Sequence, residues 1–286
     1  MTLMAVLLNW KDNDQTLASV KNLQSSRQIS RIIVVDNESN GSLAMALDGQ
    51  ERVQVLSLVE NRGFASGVNP GLEIALNLGA SHVLVINNDA YIESRSIDRL
   101  LAELKADANV GIVGPIISNQ DGSIQSAGGL VNSFGRTAHK TKTGGQLDYV
   151  TWACAIVTSK LFRVIGLLDS RFFMYYEDVD FSIRAREAGF KIKISEKAEA
   201  VHQMNRSHQR AGSAIDMYST AAMVAFGLKW RHRYPIVYTF IRSILRCFRP
   251  LILGLSPKFT VRGVIYGLRC KQDAFVIMQS SRKNGV

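Results

Sequence analysis

The chain has 286 residues, of which 47% are hydrophobic and 20% are charged, a composition that excludes a disordered or fibrous protein and allows a sizeable core. Its net charge of +10 belongs to the end of the chain, because residues 229–286 hold 12 Lys and Arg against one acid, Asp273. A basic segment of this kind can face nucleic acid, anionic lipid or acidic ligands.

Short runs rich in β-branched residues alternate with stretches of helical period over the first 120 residues. The predicted strands are residues 4–9, 31–36, 52–58, 81–87 and 110–117, and the predicted helices lie near 12–25, 67–79 and 94–107. This alternation predicts an α/β fold with a mainly parallel central sheet and helices on both faces. In such sheets, ligands bind beyond the carboxyl ends of the strands.

Three of the predicted strands end in polar or glycine-rich turns. The second leads into Asp36 and Asn37, the third into the glycine-rich residues 60–71, and the fourth into Asn87-Asn88-Asp89. One such turn alone is more often only a tight turn, but three on one sheet edge favour a ligand site. Backbone N–H groups at a helix start bind phosphate, and Asp89 could hold a divalent cation against that phosphate.

Several segments form an ordered set of motifs across residues 3–210. They are VLLNWKDN, IIVVDNES, ENRGFASGVNPGL, VLVINNDAYI, FFMYYEDVDFSIRAREAGFKI and AVHQMNRS. In this order they resemble the family 2 inverting glycosyltransferases with the GT-A fold, particularly the rhamnosyltransferase-like branch. We therefore expect a Rossmann-like GT-A catalytic domain over residues 1–228, with a nucleotide-sugar half at 1–118 and an acceptor half at 119–228. A basic, amphipathic, helical tail is expected over 229–286.

The resemblance also implies roles for particular residues. Asp36 would contact the base or ribose of the donor. Asp178, with Glu177 beside it, would be the general base, and Asp89 and His202 would hold a divalent cation, Mg²⁺ or Mn²⁺. The other expected donor-binding residues are Asn9, Asn37, Asn61, Gly63, Gly67, Asn69, Asn87 and Asn88. The expected acceptor-side residues are Trp152, Ala153 and Cys154.

Four positions depart from the family pattern. Glu38 stands where Gly is usual, Val68 where Asn is common, and Pro70 is expected to interrupt the start of a helix. Asn87 replaces the first Asp of the metal motif. One carboxylate and a neutral imidazole bind a divalent ion weakly unless the donor diphosphate supplies further oxygens.

Each of these features also has a purely structural interpretation. Asp178 and Asp180 precede a predicted helix at 181–188, where acids serve as caps or favourable charges. His202 could be an ordinary buried polar residue, and Cys154 an inert buried thiol. The aromatic residues Phe172, Phe173, Tyr175 and Tyr176 favour packing, although one could stack on a sugar ring.

The basic tail contains a strongly amphipathic stretch at 236–249. Its arginines, Arg242, Arg246 and Arg249, share one helical face, and its apolar face consists of Val237, Phe240, Ile244 and Phe248. Such a helix can lie in a membrane interface with its arginines on anionic head groups. Alternatively, the same face packs on the catalytic domain or on a second subunit in a homodimer. We find no nucleic-acid-binding motif in it.

The cysteine content and the hydropathy of the sequence indicate the cellular compartment in which we expect the protein. Three cysteines, Cys154, Cys247 and Cys270, are far apart and odd in number, which suits a reducing compartment. No basic residue precedes the first apolar run, so we expect no signal peptide, and arginines interrupt the best candidate for a membrane span. We expect a cytoplasmic protein bound peripherally to the inner membrane.

These observations combine into one functional expectation. By resemblance, the chain is an inverting glycosyltransferase that uses a nucleotide-diphosphate sugar, with dTDP-rhamnose as the favoured donor, in cell-surface polysaccharide or lipopolysaccharide synthesis. The acceptor would be a lipid-linked glycan. The alternatives are a UDP-hexose or UDP-hexosamine transferase of the same fold, or a catalytically silent nucleotide-binding scaffold subunit.

Overall fold

The structure, a computed structural model, describes residues 1–203, 214–252 and 256–269. The strands in this part of the chain are β1 (Leu3–Asn9), β2 (Ile29–Asp36), β3 (Val53–Ser57), β4 (His82–Asn87), β5 (Ala90–Ile92), β6 (Val110–Ser118), β7 (Ile124–Ser126), β8 (Gly129–Val131), β9 (Thr137–His139), β10 (Cys154–Thr158) and β11 (Lys191–His202). The helices are α1 (Asn13–Gln24), α2 (Ser42–Ala46), α3 (Gly63–Asn77), α4 (Ser94–Ala106), α5 (Ser159–Ile165), α6 (Glu177–Glu187), α7 (Ala214–Lys229), α8 (Ile236–Ile252) and α9 (Lys258–Arg269).

Nine of these strands form the central sheet, in the order β3-β2-β1-β4-β10-β6-β11-β5, with β7 paired to β6. The first four strands in this order, β3, β2, β1 and β4, run parallel to one another, as the β-α-β alternation predicts. Between β4 and β6 lies β10, which is antiparallel to both neighbours. The chain thus returns through the middle of the sheet after the β8–β9 hairpin, and this insertion does not follow from the alternation in the first 120 residues.

The sheet is buried on both faces by helices, which confirms the predicted fold class. Side chains alternate along β1, so that Leu3, Ala5 and Leu7 enter one core cluster and Met4 and Val6 enter the other. Helices α1 and α4 cover the first face, and α3, α5 and α6 cover the second. The carboxyl ends of the parallel strands remain uncovered by these layers.

Helix α3 starts four residues earlier than predicted, at Gly63, and Pro70 lies inside it. The expectation that Pro70 interrupts the helix start is therefore wrong. A close approach of the helix to the sheet explains the glycines in this segment. A Cβ atom on Gly71 would come within 2.7 Å of Val35 and 2.8 Å of Val6, so only glycine allows this contact.

Helix α7 joins the C-terminal helices to the catalytic layers. Its last residue, Lys229, forms ion pairs with Asp169 and Asp180, and Trp230 Nε1 donates to Asp180 Oδ1 at 2.9 Å. Helix α9 packs closely on α7 through Gly263, where an added Cβ would lie 2.5 Å from a backbone oxygen of α7. The predicted boundary between the catalytic domain, 1–228, and the tail, 229–286, thus lies next to a buried network of contacts.

Helix α8 turns its small and polar residues inward and its large apolar residues outward. Thr239 and Ser243 are buried, and Thr239 packs against Gly227 of α7. The exposed large apolar residues of α8 and α9, here called the apolar face, are Val237, Phe240, Ile241, Ile244, Leu245, Phe248, Ile252, Val261, Ile265 and Leu268. No helix among the residues described has the length and apolarity needed to cross a bilayer.

The arginines of α8 contact protein. Arg242 donates to the carbonyl oxygen of Gly135, and Arg246 donates to Ser219 Oγ at 3.0 Å. Both side chains are half-buried and hydrogen-bonded to the catalytic domain, and their expected contact with lipid head groups stays a prediction. The side chain of Arg249 lies outside the described part of the chain, as do residues 253–255 and 270–286 of the predicted tail.

Candidate functional site

A large cavity opens at the carboxyl ends of β1, β2 and β4. Its volume is about 920 Å³, and its wall also includes the segment before α6, the β8–β9 hairpin and one side of α8. The predicted site residues that line it are Asn37, Asn61, Gly63, Asn87, Asn88, Asp89, Trp152, Ala153, Glu177, Asp178 and His202. The fold therefore gathers predicted donor, metal, acceptor and catalytic positions around one space.

Two predicted donor-binding residues, Asn9 and Asp36, are buried behind the cavity wall. The Asn9 amide donates to Asp36 Oδ1 at 2.7 Å, and the Asn9 carbonyl accepts from the backbone N–H of Asn37 at 2.8 Å. Asn37 is the next residue along and does line the cavity. The geometry therefore gives Asn9 and Asp36 the role of holding Asn37 in place.

Gly67, Asn69 and Cys154 also lie off the cavity wall. Gly67 allows α3 to pack close to the sheet, since an added Cβ would come within 3.0 Å of Leu8. The Asn69 amide exchanges two hydrogen bonds with the backbone of Leu168, which fixes a loop on the far side of α3. Cys154 belongs to the sheet core, where burial raises the pKa of its thiol. The expectation that it lies on the acceptor side is corrected accordingly.

A pair of amides positions the start of α3 beside the cavity. Asn37 Nδ2 donates to Asn61 Oδ1 at 2.9 Å, and Asn61 Oδ1 also accepts from the backbone N–H of Gly63. Gly63 has φ of 75°, and a Cβ there would lie 2.3 Å from the carbonyl oxygen of Phe173. The glycine thus lets the segment before α6 dock on the donor-side loop.

Asp178 lies in the first turn of α6 and faces the cavity, half-buried. The backbone N–H of Val179 donates to Asp178 Oδ1 at 2.7 Å, and the Trp152 backbone and the Thr151 hydroxyl also donate to this carboxylate. Burial raises the pKa of Asp178 to about 6, although these hydrogen bonds favour its ionised form. At neutral pH the group is therefore ionised and more basic than an exposed aspartate.

Glu177 differs from Asp178 in its surroundings. It is buried, and its Oε2 atom has no hydrogen-bond partner within the described ranges. Burial and the neighbouring charge of Asp178 raise the pKa of Glu177 well above its usual value. The preceding residues, Tyr175 and Tyr176, have φ of 73° and 67°, a conformation costly for non-glycine residues that concentrates at functional sites.

Helix α6 begins at Glu177, earlier than the predicted helix at 181–188, so three acids lie in its first turn. Asp180 is fully buried and does not line the cavity. Its oxygens bond to Arg184 and Trp230, each at 2.9 Å. The geometry therefore gives Asp180 a structural role in joining α6 to the end of α7.

The predicted metal ligands, Asp89 and His202, meet at the cavity wall. Asp89 Oδ1 lies 3.1 Å from His202 Nε2, and the other ring nitrogen is 2.8 Å from Gln125 Oε1. In the tautomer that donates from Nδ1 to Gln125 Oε1, the Nε2 lone pair is left to bind an ion together with Asp89. Two ligand atoms about 3 Å apart fit one octahedral ion with bonds near 2.1 Å.

The ligand set from the protein is small. No group of three or more His, Cys, Asp or Glu side chains with metal-binding geometry occurs among the described residues. Asn87 Nδ2, where the family motif has a carboxylate, lies 3.2 Å from His202 Nε2. The chain therefore fits a divalent ion through Asp89 and His202 only if the donor's phosphate oxygens complete the coordination.

Several cavity residues have no signal in the sequence motifs. Gln125 on β7 is 77 positions from the histidine it contacts, and Thr151 lies in no motif. Arg136, Arg242 and Arg246 bring three cationic side chains to the cavity wall from the β8–β9 hairpin and α8. Only tertiary packing reveals these contacts.

Curated relatives cover most of the chain at low identity. A hexosyltransferase of low-salt glycan biosynthesis, Agl10 of Haloferax volcanii, is 28% identical in an alignment 226 residues long that covers 76% of this chain and 72% of that protein. The dTDP-rhamnosyl transferase RfbF of Shigella flexneri is 26% identical and covers 66% of this chain and 65% of RfbF. An N-acetylglucosaminyl-diphospho-decaprenol L-rhamnosyltransferase of Mycobacterium tuberculosis is 26% identical, with coverages of 69% and 73%.

Solved structures and a family model agree with the fold. The mannosyltransferase PcManGT of Pyrobaculum calidifontis, solved with GDP-Man and Mn²⁺, has a TM-score of 0.59 at 11% identity over 98% of this chain and 79% of its own. A structure of S. aureus TarS has a TM-score of 0.60 at 13% identity, covering 100% of this chain and 92% of that one. The model described as glycosyl transferase family 2 matches residues 4–166, more than half of the chain. The chain is therefore a family 2 glycosyltransferase with the GT-A fold.

Proposed function

We propose that the protein transfers a hexosyl residue, and specifically rhamnose from dTDP-rhamnose, to a hydroxyl group of a lipid-linked glycan, with inversion at the anomeric carbon. The observation that carries this proposal is the half-buried carboxylate of Asp178, which faces the same cavity as the Asp89–His202 pair. A base and a diphosphate-binding pair on one cavity are the two requirements of this transfer.

Asp178 is the base in this proposal. Its carboxylate takes the proton of the acceptor hydroxyl while that oxygen forms a bond to the anomeric carbon of the donor. The bond between this carbon and the diphosphate oxygen breaks, and its electron pair leaves with the nucleoside diphosphate. Asp178 suits this role because its pKa of about 6 keeps it ionised at neutral pH and close to the optimum for proton transfer.

Glu177 is the second carboxyl group beside the base in this proposal. Burial and the neighbouring charge of Asp178 raise its pKa and so favour its protonated form, and the residue lines the cavity, with its Oε2 atom buried and without a hydrogen-bond partner among the described residues. A protonated carboxyl can donate a hydrogen bond to a substrate oxygen. Asp178 and Glu177 thus divide the roles of base and hydrogen-bond donor between them.

Asp89 and His202 would hold Mg²⁺ or Mn²⁺ against the donor diphosphate. When bound, such an ion neutralises charge that develops on the departing phosphate oxygens. Gln125 orients the His202 ring by accepting from Nδ1, and Asn87 donates towards the same histidine. Partners of this kind fix the tautomer of a metal-binding histidine.

The donor and the acceptor are proposed from relatives. RfbF is described as a dTDP-rhamnosyl transferase, and the mycobacterial relative as a rhamnosyltransferase acting on a diphospho-decaprenol glycan. Agl10 is described only as a hexosyltransferase, which keeps a UDP-hexose or UDP-hexosamine as the second candidate donor. A lipid-linked acceptor also agrees with the apolar face on α8 and α9.

Thermal shift measurements with dTDP, UDP and GDP, each with and without Mn²⁺, test the donor. A ligand that binds only the folded state raises Tm by mass action, so we expect the largest shift with dTDP and Mn²⁺. Transfer from dTDP-rhamnose to a synthetic lipid diphosphate carrying N-acetylglucosamine then tests the reaction. A larger shift with UDP would favour the second donor class, and nucleotide binding without transfer would favour a silent scaffold.

We also propose that the apolar face of α8 and α9 rests on the cytoplasmic surface of the inner membrane. Ile244 and Phe248 are 55% and 56% exposed, and the exposed cations Lys258, Arg262 and Arg269 lie on the neighbouring helix α9. Apolar side chains would enter the acyl boundary, while the cations would add about 1 kcal/mol each near anionic lipid. A membrane therefore complements this face in both polarity and charge.

Replacing Ile244 and Phe248 with glutamate should release the protein from vesicles that contain phosphatidylglycerol. Neither side chain lines the cavity, so we expect nucleotide binding to be unchanged. Co-sedimentation measures attachment, and Val164→Glu, at an equally exposed residue of α5, is the matched control. If the double variant sediments with vesicles as well as the wild type does, the face serves another partner, such as a second subunit.

A further inference from the structure

One side of the cavity is cationic, and it belongs to α8 and the β8–β9 hairpin. Arg242 and Arg246 reach this wall from successive turns of α8, and Arg136 reaches it from the hairpin. The hairpin is held against the helix, with the rings of Phe134 and Tyr238 only 4.2 Å apart between centroids. The three arginines therefore line a defined wall of the cavity.

The charge on this wall suits an anion. Arg242 donates to the carbonyl oxygen of Gly135 at 3.1 Å and to the hydroxyl of Tyr176 at 3.3 Å, and both of these partners are neutral. Arg246 donates to Ser219 Oγ. These bonds fix the guanidinium groups in place without neutralising the charge of Arg242. Phosphate oxygens match a guanidinium in geometry and in charge.

The cationic wall adjoins the apolar face. Ile241 and Leu245 also line the cavity, although they are 46% and 63% exposed, and each is the chain neighbour of one of the two arginines. Residues four apart align along a helix, so an apolar stripe at 241 and 245 runs beside a cationic stripe at 242 and 246. A ligand that lay across both would carry an anionic group joined directly to an apolar chain.

We infer that this wall is the binding site for the diphosphate of a lipid diphosphate acceptor, with Arg242, Arg246 and Arg136 on the phosphates and Ile241 and Leu245 on the start of the lipid chain. The inference rests on the proposed glycosyl transfer and names its acceptor class. The lipid chain leaves the cavity along the apolar face, and the acceptor sugar extends inward.

The position of the base assigns this diphosphate to the acceptor and not to the donor. Arg242 contacts Tyr176, which immediately precedes the acidic pair at the start of α6. Asp178 takes a proton from the acceptor, so an anion held beside this turn belongs to the acceptor molecule. The donor diphosphate has its own site at Asp89 and His202, which follow β4 and end β11.

Calorimetric titration of the full chain in dodecyl maltoside micelles tests the inference, with farnesyl diphosphate as the probe and farnesol as the phosphate-free control. We expect Arg242→Gln/Arg246→Gln to weaken farnesyl diphosphate binding at least about 10-fold, because charge-assisted hydrogen bonds are lost. Farnesol binding, and dTDP binding with Mn²⁺, should change less than about twofold by the same reasoning. Arg163→Gln, at an exposed arginine of α5 off the cavity wall, is the matched control.

Several outcomes would overturn the inference. These are unchanged farnesyl diphosphate binding in the double variant, loss of dTDP binding in its place, and equal competition by phosphatidylglycerol, which would indicate a general site for anionic lipid. Arg242 anchors the hairpin, so Arg246→Gln alone is the second variant if the double variant does not fold. The titration uses no sugar donor, so it gives a result even if no nucleotide sugar is a substrate.

Discussion

Substitution of Asp178 with asparagine is expected to lower kcat at least about 100-fold, the effect typical of losing a general base. The amide retains the shape of the side chain but cannot take the acceptor's proton. Donor binding should be retained, because Asp178 lies on α6, apart from the Asp89–His202 pair. Kinetics with a saturating donor, together with nucleotide titration of the same variant, separate these two effects.

The pH profile gives an independent readout of the same group. A base must be deprotonated to act, so kcat/KM of the wild type should fall as the pH drops through about 6, the pKa of Asp178. Glu177→Gln is the matched control. Burial raises the pKa of Glu177, which favours its protonated form, and a glutamine can still donate a hydrogen bond, so the amide variant should keep far more activity. Comparable losses in the two variants would contradict the assignment of Asp178 as the base.

The Asp178→Asn substitution should stabilise the folded protein at pH 7, although it lowers activity. The pKa of Asp178 is higher in the folded protein than in the unfolded chain, so folding favours the protonated form. The stability that this group adds is present below its unfolded pKa, near 4, and is lost as the pH rises through about 6. At pH 7 the ionised carboxylate therefore opposes folding, and Asp178→Asn should raise Tm by about 2 to 4 °C.

The residues that line the donor side of the cavity can be predicted from the sequence, because the patterns that mark them are local. Each parallel strand carries its own run of β-branched residues, and the polar residues that follow it must lie at the same sheet edge. Asn37, Asn61 and Asp89 are brought together for this reason. The segment that opens α6 required the family resemblance, since acids at a helix start are otherwise explained as favourable charges.

The remaining contacts depend on packing between distant parts of the chain. Asn69 sits within the donor motif, but its partner is the backbone of Leu168, 99 positions away. The surroundings of the two faces of α8 also depend on such packing. Amphipathic periodicity separates two faces of a helix but does not say which one meets the protein, and here Arg242 and Arg246 face the cavity while Phe240 and Ile244 are exposed.

The second large effect is expected at the metal pair. Asp89→Ala should remove the only carboxylate of the pair, and with it most of the cation-dependent binding of the donor diphosphate. Loss of a Lewis-acid contact worth several kcal/mol corresponds to a decrease in kcat/KM of about 10² to 10³. Titration of Mn²⁺ in the presence of dTDP, followed by the electron paramagnetic resonance signal of the free ion, measures binding without turnover.

Gln125→Ala should have a smaller effect than Asp89→Ala on the same Mn²⁺ binding. Its side chain accepts from His202 Nδ1 at 2.8 Å and lies behind the metal ligand, so its loss should weaken Mn²⁺ binding by the 10- to 100-fold typical of such partners. Asp89→Ala should exceed this effect, and Arg262→Gln, on the exposed side of α9, should have none. If the wild type keeps full activity and dTDP affinity after dialysis against a chelator, the cation is dispensable. Arginines at the cavity wall, Arg136 foremost, would then have to neutralise the donor phosphates.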